Sequence, residues 1–152
     1  MKEWKKELRI ASTTYHLSKS NFMAKILVVD DDINIRVAMK ITLEGYDIML
    51  AEDGQQAIAL VDWDRPDLIL MDIMMPGMDG ITAAETILQR HNVPIIFISG
   101  LADKVSVPAG LSRFAPIQKP FDPMELRSKI GFTLMNSIIQ RTPNYPQHFR
   151  AS

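Results

Sequence analysis

Cysteine is absent from the 152 residues of the sequence, which excludes disulfide bonds and thiolate metal sites. No apolar run approaches the roughly 20 residues of a membrane helix, and the opening MKEWKKELRI is too charged for a signal peptide. Neither sign of charge dominates, because 17 Lys and Arg residues stand against 18 Asp and Glu residues. These absences predict a cytoplasmic protein with no nucleic-acid partner and no membrane partner.

The chain has enough apolar residues for one domain. At 152 residues, 47% hydrophobic and 23% charged, it is long enough for one packed core and too short for two ordinary ones. We assign the domain to residues 23–140 and predict a disordered tail at 141–152, which has two prolines and little periodicity. Residues 1–22 precede MAKILVVDDD, which resembles a natural start, so we expect an extension, disordered or forming a short docking helix. The apolar residues of such a helix would be Trp4, Leu8 and Ile10.

Short apolar runs alternate with stretches of helical spacing. Three runs predict buried strands, at residues 26–29, 68–71 and 94–98. Between them, apolar residues recur every three or four positions, as in Ile33, Val37 and Ile41. Apolar strands that alternate with amphipathic helices predict a parallel sheet with helices on both faces. The fold class is therefore α/β, an open sheet covered on two sides.

The last helix has the clearest start signal. Asp122 can cap it, Pro123 suits its first turn, and Glu125 lies three residues after the cap. We predict that this helix runs to about Gln140.

Polar residues follow the apolar runs where the predicted strands end. Ligands collect beyond the carboxyl ends of parallel strands, so these side chains should share one edge of the sheet. Carboxylates that converge there would repel each other unless a cation lies among them, and Mg²⁺ prefers such oxygen ligands. A hydroxyl and an ammonium group beside the cation would neutralise an incoming phosphoryl group. In chain order the residues are Asp30, Asp31, Asp32, Asp72, Ser99, Lys119 and Pro120.

The local sequences around these residues resemble those of two-component response-regulator receiver domains. ILVVDDD, LILMDIMMPGMDG, PIIFISG and IQKPF are similar, in this order, to the acidic pair, the phosphoacceptor loop, the hydroxyl strand and the lysine-proline turn of that family. The resemblance spans residue 24 to about residue 140. It implies the doubly wound, flavodoxin-like receiver fold, with five parallel strands in the order 2-1-3-4-5.

The resemblance also implies a metal site. Asp31 would coordinate Mg²⁺ directly, together with Asp72, and the backbone carbonyl of Met74 would complete the protein ligands. Asp30 would hold metal-bound water or orient its neighbour. Asp32 is instead expected to cap the first helix.

The same resemblance makes Asp72 the phosphoacceptor, which would take a phosphoryl group from a sensor histidine kinase or a phosphotransfer protein. Ser99 would hydrogen-bond one phosphoryl oxygen and Lys119 would pair with another. Pro120 would follow a cis peptide bond, as in the family.

Residues 101–116 depart from the family pattern, where a fourth helix and a switch aromatic residue are expected. Proline and glycine predict an irregular or shortened helix, a loop or a single turn. The position three before Lys119 is Pro116, and Phe114 either substitutes for the switch aromatic or belongs to the core. Gly100, the small residue after the hydroxyl, leaves space for phosphate. The residues that break the helical pattern are Pro108, Gly110 and Pro116.

Three functions are compatible with the sequence. The leading one is a regulatory phosphoacceptor that signals to an unknown protein target, or serves as a relay intermediate or sink, with no catalysis beyond its own phosphorylation and dephosphorylation. The second is a receiver-like scaffold that works without phosphorylation. The third, a Mg²⁺-dependent phosphohydrolase, is disfavoured because Met74 stands where a second carboxylate would act as acid and base. The sequence leaves the oligomeric state open.

Overall fold

The computed structural model describes residues 23–141, so the interpretations of residues 1–22 and 142–152 lie outside the described residues. The five strands form one parallel sheet in the order β2-β1-β3-β4-β5, which confirms the predicted topology. The strands are β1 (Lys25–Val29), β2 (Asp47–Ala51), β3 (Leu68–Asp72), β4 (Ile95–Ser99) and β5 (Ile117–Gln118). The helices of this region are α1 (Ile33–Thr42), α2 (Gly54–Trp63), α3 (Gly80–Leu88) and α4 (Pro123–Arg141).

The core lies on both faces of the sheet because successive strand residues point to opposite sides. Leu27, Val29 and Phe97 pack with apolar residues of α2 and α3 on one face. Ile26 and Val28 pack with residues of α1 and α4 on the other. β1, β3 and β4 are almost wholly buried. No helix of the described region is long and apolar enough to cross a membrane.

Helix α1 forms as predicted, but its regular aliphatic spacing faces solvent. Asp32 caps the helix by accepting the Asn34 N–H at 2.8 Å. Met39 and Arg36 are the buried residues of α1. The Arg36 guanidinium donates to the backbone carbonyl of Asp30 at 2.7 Å, which ties α1 to the end of β1. The solvent-facing residues Ile33, Val37 and Ile41 are 61%, 51% and 73% exposed.

Residues 101–116 contain turns and no helix, in agreement with the expected irregularity. Val105, Val107 and Leu111 still pack against the core on the α2 and α3 side. One hydrogen bond, from the Lys104 N–H to the Leu101 carbonyl, closes a first turn at 2.9 Å. Apolar anchors and isolated turns therefore replace the helix between β4 and β5.

The last helix begins and ends close to its predicted bounds. The Asp122 carboxylate accepts the backbone N–H of Met124 at 2.7 Å, which satisfies one of the free donors of the first turn. Leu126 and Ile130 are fully buried against the sheet. Helix α4 thereby covers the same face as α1.

Candidate functional site

The strand ends bring four chemically active residues to one edge of the sheet. Asp30 directly follows β1, Asp72 ends β3, Ser99 ends β4, and Lys119 directly follows β5. The register pairs Asp72 with Ile98 and Ser99 with Gln118 on neighbouring strands. Because adjacent parallel strands lie about 4.8 Å apart, these side chains converge without any loop having to carry them.

Three carboxylates form a cluster suited to a divalent cation. Asp30, Asp31 and Asp72 each offer an oxygen, and these atoms all lie within 4.8 Å of one another. Octahedral Mg²⁺ holds oxygens at about 2.1 Å, so its ligands are about 3 to 4 Å apart. The cluster therefore fits the size and the donor type that this ion requires. Asp30 and Asp72 are buried, whereas Asp31 is exposed and opens the cluster to solvent.

Lys119 is the counter-charge of the cluster. Its Nζ donates to Asp30 Oδ2 at 2.5 Å and lies 3.3 Å from Asp72 Oδ2. Burial disfavours its charged form, but the hydrogen bond to Asp30 and the charge of Asp72 outweigh burial and raise the Lys119 pKa. The side chain therefore remains an ammonium group, ready to pair with added negative charge.

Asp72 has an environment that opposes its own ionisation. Its side chain is 5% exposed, and burial together with the nearby Asp30 carboxylate raises its pKa from 3.8 to about 6. Lys119 and a hydrogen bond from the Met74 backbone lower this pKa in part, without cancelling the rise. A divalent cation or a gain of positive charge would therefore favour the ionised carboxylate of Asp72.

Asp30 is held in place by its own local contacts. Its Oδ1 accepts the backbone N–H of Asp32 at 2.9 Å, and its backbone carbonyl accepts from Arg36 at 2.7 Å. Sequence reasoning did not identify Arg36 as a support of the site. The residue pattern carried no signal for it, because the regular aliphatic spacing of α1 indicates a different face and Arg36 is one of several polar residues of this helix.

The loop after β3 is held close to Asp72 by a glycine. The Gly80 N–H donates to the Ile73 carbonyl at 2.8 Å. A Cβ atom on Gly80 would lie 2.0 Å from the backbone oxygen of Asp72, a distance that no side chain tolerates. The sequence could not predict this role of Gly80, because a close backbone contact of this kind has no signature in the residue pattern.

Ser99 and Gly100 form the hydroxyl end of β4. Ser99 is fully buried, and its Oγ accepts the Leu101 N–H at 3.1 Å. Apart from the adjacent residues 99 and 101, no described atom lies within 4 Å of the position that a Cβ of Gly100 would take, so the space around Gly100 is open. Pro120 follows a cis peptide bond, in agreement with the expectation from the resemblance.

Two predicted site residues are placed differently from the rest. Phe114 is half-buried and packs edge-on against the 52% exposed Phe132 of α4, with ring centroids 5.9 Å apart, so both of its predicted roles stay open. The Met74 side chain is 54% exposed and its N–H bonds to Asp72. The ligand role of the Met74 carbonyl stays a prediction, as do the roles assigned to the other site residues.

The fold and this arrangement of groups define a receiver domain, and comparison with known proteins identifies the family. Residues 26–131 match the model of the response regulator receiver domain. The chain belongs to this family. It is similar to a solved response regulator receiver domain protein (CheY-like) from Methanospirillum hungatei, with 31% identity and a TM-score of 0.66, covering 76% of this chain and 97% of that one.

Two curated relatives are longer proteins. The DNA-binding response regulator MtrA of Mycobacterium tuberculosis is 41% identical over 110 residues, which cover 70% of this chain and 48% of MtrA. The probable transcriptional regulator ycf27 of Cyanophora paradoxa is 35% identical over 124 residues, which cover 79% of this chain and 50% of ycf27. The chain thus spans about half the length of these relatives.

The names of these relatives correct one expectation. An even balance of charge was interpreted above as evidence against a nucleic-acid partner, and that prediction is wrong because MtrA is a DNA-binding response regulator. The physical reason is that overall charge describes only the chain that carries it. A receiver can belong to a DNA-binding protein without contacting DNA itself.

Proposed function

We propose that this receiver domain is a phosphorylation-operated switch in which Asp72 accepts a phosphoryl group from a sensor histidine kinase or a phosphotransfer protein. The observation that carries the proposal is a buried aspartate 3.3 Å from a lysine ammonium, inside a cluster of three carboxylates at one sheet edge. A structural ion pair alone would not need the second and third carboxylates, because they add repulsion. A site for a cation and a phosphoryl group would need all of them.

The reaction follows from these groups. A carboxylate oxygen of Asp72 attacks the phosphorus of a phosphohistidine, a P–O bond forms as the P–N bond breaks, and the imidazole leaves with the electron pair and is protonated by solvent. Asp30, Asp31 and Asp72 would hold Mg²⁺, which supplies charge neutralisation for the incoming phosphoryl group. Lys119 moves its ammonium toward the new negative charge, from a position where it already touches both Asp30 and Asp72.

Residues 101–116 are the output element of the proposed switch. The Ser99 hydroxyl that would turn to the phosphoryl oxygen now accepts the Leu101 N–H at 3.1 Å. Gln118, next to Lys119, accepts the Ala102 N–H at 3.0 Å and donates to the Gly100 carbonyl at 2.7 Å. Movement of either Ser99 or Lys119 therefore pulls on the start of the segment, and a shift of population between its conformations transmits the signal.

The proposed output reaches a downstream protein by direct contact. By analogy with MtrA and ycf27, that protein element is one that controls DNA binding or transcription, whether it is joined to the receiver or separate from it. The analogy extends to the class of output alone and leaves the cognate kinase and the regulated genes open.

The first test is phosphorylation by acetyl phosphate, with and without Mg²⁺, followed by intact mass. We expect the wild type to gain one phosphoryl group only with Mg²⁺, and the Asp72→Asn variant to gain none. Asp103→Asn, an exposed aspartate in the output segment, is the matched control and should be phosphorylated like the wild type. Equal phosphorylation of the wild type and Asp72→Asn would remove Asp72 as the acceptor.

A receiver-like scaffold that binds its partner without phosphorylation is the second candidate. The absence of a helix in residues 101–116 favours it, because this segment is the proposed output element. The two functions separate in cells, where a switch loses its output in the Asp72→Asn variant and a scaffold retains it.

A further inference from the structure

Helix α1 carries a line of large aliphatic side chains that nothing in the described residues covers. The aliphatic row consists of Ile33, Val37 and Ile41, which are 61%, 51% and 73% exposed. Residues four apart lie above one another on a helix, so the three side chains form one continuous strip. Single exposed aliphatic residues are ordinary, whereas a contiguous strip indicates an interaction surface.

The two ends of the aliphatic row have different surroundings. At the first end, Asp32 caps α1 beside the exposed Asp31 of the carboxylate cluster. At the other end, Ile41 and Met23 line the same surface groove, and Met23 is 54% exposed. Residues 1–22 therefore join the domain at the Ile41 end of the row, and the acidic residues mark its Ile33 end.

The sequence of residues 1–22 matches this surface in pattern and charge. Trp4, Leu8, Ala11 and Tyr15 follow a spacing of four, three and four residues, which places them on one face of a helix. The segment has five Lys or Arg residues and two Glu residues, and four of its five basic residues precede residue 10. The basic residues of the segment are the ones farthest along the chain from Met23. The acidic Ile33 end of the row is likewise the end that lies away from Met23.

We propose that residues 1–15 dock on the aliphatic row of their own chain as an amphipathic helix, with Trp4 and Leu8 against Ile33 and Val37. Residues 16–22 connect the docked helix to Met23. When extended they reach up to about 24 Å, which exceeds the length of about 15 Å of the ten residues of α1, so this connection is long enough. The docked helix runs parallel to α1 and brings its basic residues toward Asp31 and Asp32.

The test measures the exposure of Trp4 in the full chain. Trp4 and Trp63 are the two tryptophans, and the 80% exposed Trp63 can be replaced by Phe to leave Trp4 as the reporter. We expect acrylamide to quench Trp4 several-fold less in this Trp63→Phe protein than in a peptide of residues 1–22. Adding Val37→Glu should raise the quenching to the peptide level. Adding Ala38→Glu, on an exposed position of α1 outside the row, should leave the protection intact.

Three results would overturn the proposal. Trp4 in the Trp63→Phe protein could be quenched as strongly as in the peptide, or its protection could persist in the Val37→Glu variant. Protection that disappears on dilution would show that a second copy supplies the helix. Circular dichroism should show less helix in the Val37→Glu variant than in the Ala38→Glu variant, because a released helix of this length is marginal in water. A cooperative thermal transition in both variants would show that the domain itself stays folded. None of these measurements involves phosphorylation, so the docking and the phosphoacceptor function can fail independently.

Discussion

The carboxyl edge of the sheet and residues 101–116 adjoin each other in the chain, yet they are held in opposite ways. At the sheet edge, each of the four site residues ends or follows a strand. Asp30, for example, accepts hydrogen bonds from Lys119, Asp32 and Arg36. Residues 101–116 have no helix, and turns and a few apolar anchors hold them. From this difference we expect the groups at the sheet edge to be tightly constrained, and residues 101–116, the proposed output segment, to change conformation more easily.

The sheet edge and residues 101–116 also differ in charge. The site concentrates Asp30, Asp31 and Asp72 in one cluster, and Lys119 contacts two of these carboxylates, so we expect a change there to alter both stability and the proposed phosphorylation. The segment is joined to β5 largely through the neutral side chain of Gln118. Substitutions at the site should therefore have large and coupled effects, and substitutions at the segment should have small and local ones.

Gly80→Ala should have the largest effect. Its new Cβ would lie 2.0 Å from the Asp72 carbonyl oxygen, so the backbone after β3 must move. We expect the free energy of unfolding to fall by about 3 kcal/mol or more, with loss of phosphorylation by acetyl phosphate. Gly131→Ala is the control, because no described atom crowds that helical position, and it should raise stability by about 0.5 to 1 kcal/mol. Urea unfolding measures both, and equal stability of Gly80→Ala and wild type would contradict the close contact.

Lys119→Met should have the second-largest effect. The variant keeps the length of the side chain but leaves Asp30 and Asp72 without their ammonium partner, and it removes the positive charge that would meet the phosphoryl group. We expect the rate of phosphorylation by acetyl phosphate to fall by about 100-fold. Lys129→Met, which removes a partly exposed lysine paired with Glu125 on α4, should leave the rate unchanged. A Lys119→Met rate within twofold of wild type would assign Lys119 a purely structural role.

Asp72→Asn should stabilise the metal-free protein at neutral pH. Because the Asp72 pKa is about 6 in the folded protein and 3.8 as its ordinary value, the folded state binds its proton more tightly than the unfolded state. The cost of the buried charge is absent below pH 3.8, grows as the pH rises, and is complete above pH 6. The amide removes this cost, so we expect a gain of about 1 to 3 kcal/mol at pH 7.5.

The measurement is urea unfolding with a chelator present, repeated at low pH, where the gain of Asp72→Asn should disappear. Asp103→Asn serves as the control and should follow the wild-type stability at each pH. A gain that stays constant with pH would show that the amide acts through packing or hydrogen bonding instead of charge.

The sequence predicted the sheet edge because Asp30, Asp72 and Ser99 each directly follow an apolar run. Asp72 and Ser99 could be placed together for this reason, since parallel strands present their carboxyl ends at one edge. β2 gave a weaker signal because it is an edge strand that begins with the exposed Asp47 and is only half buried. Local patterning was thus sufficient wherever a strand is buried on both faces.

Tertiary contacts account for what the sequence could not predict. The regular aliphatic spacing of α1 indicates a face that is in fact exposed to solvent. The face that packs on the sheet includes the charged Arg36, which is stabilised by the Asp30 carbonyl at the end of β1. Phe114 could not be assigned from its position before Lys119, since its place depends on Phe132 of α4. The first contact joins residues six apart and the second joins a loop to a helix, so the 3.6-residue periodicity of a helix predicts neither of them.

Gln118→Ala should have the smallest effect and should separate the two regions. The substitution removes the side-chain hydrogen bonds to Ala102, to Gly100 and to the Lys119 backbone carbonyl, but the Lys119 ammonium keeps its contacts with Asp30 and Asp72. We expect a loss of about 1 kcal/mol in stability, faster amide hydrogen exchange at residues 100–104, and a phosphorylation rate within twofold of wild type. A phosphorylation rate that fell as far as in Lys119→Met would mean that the segment helps to build the site. Unchanged exchange at residues 100–104 would mean that Gln118 is not the connection through which β5 holds the output segment.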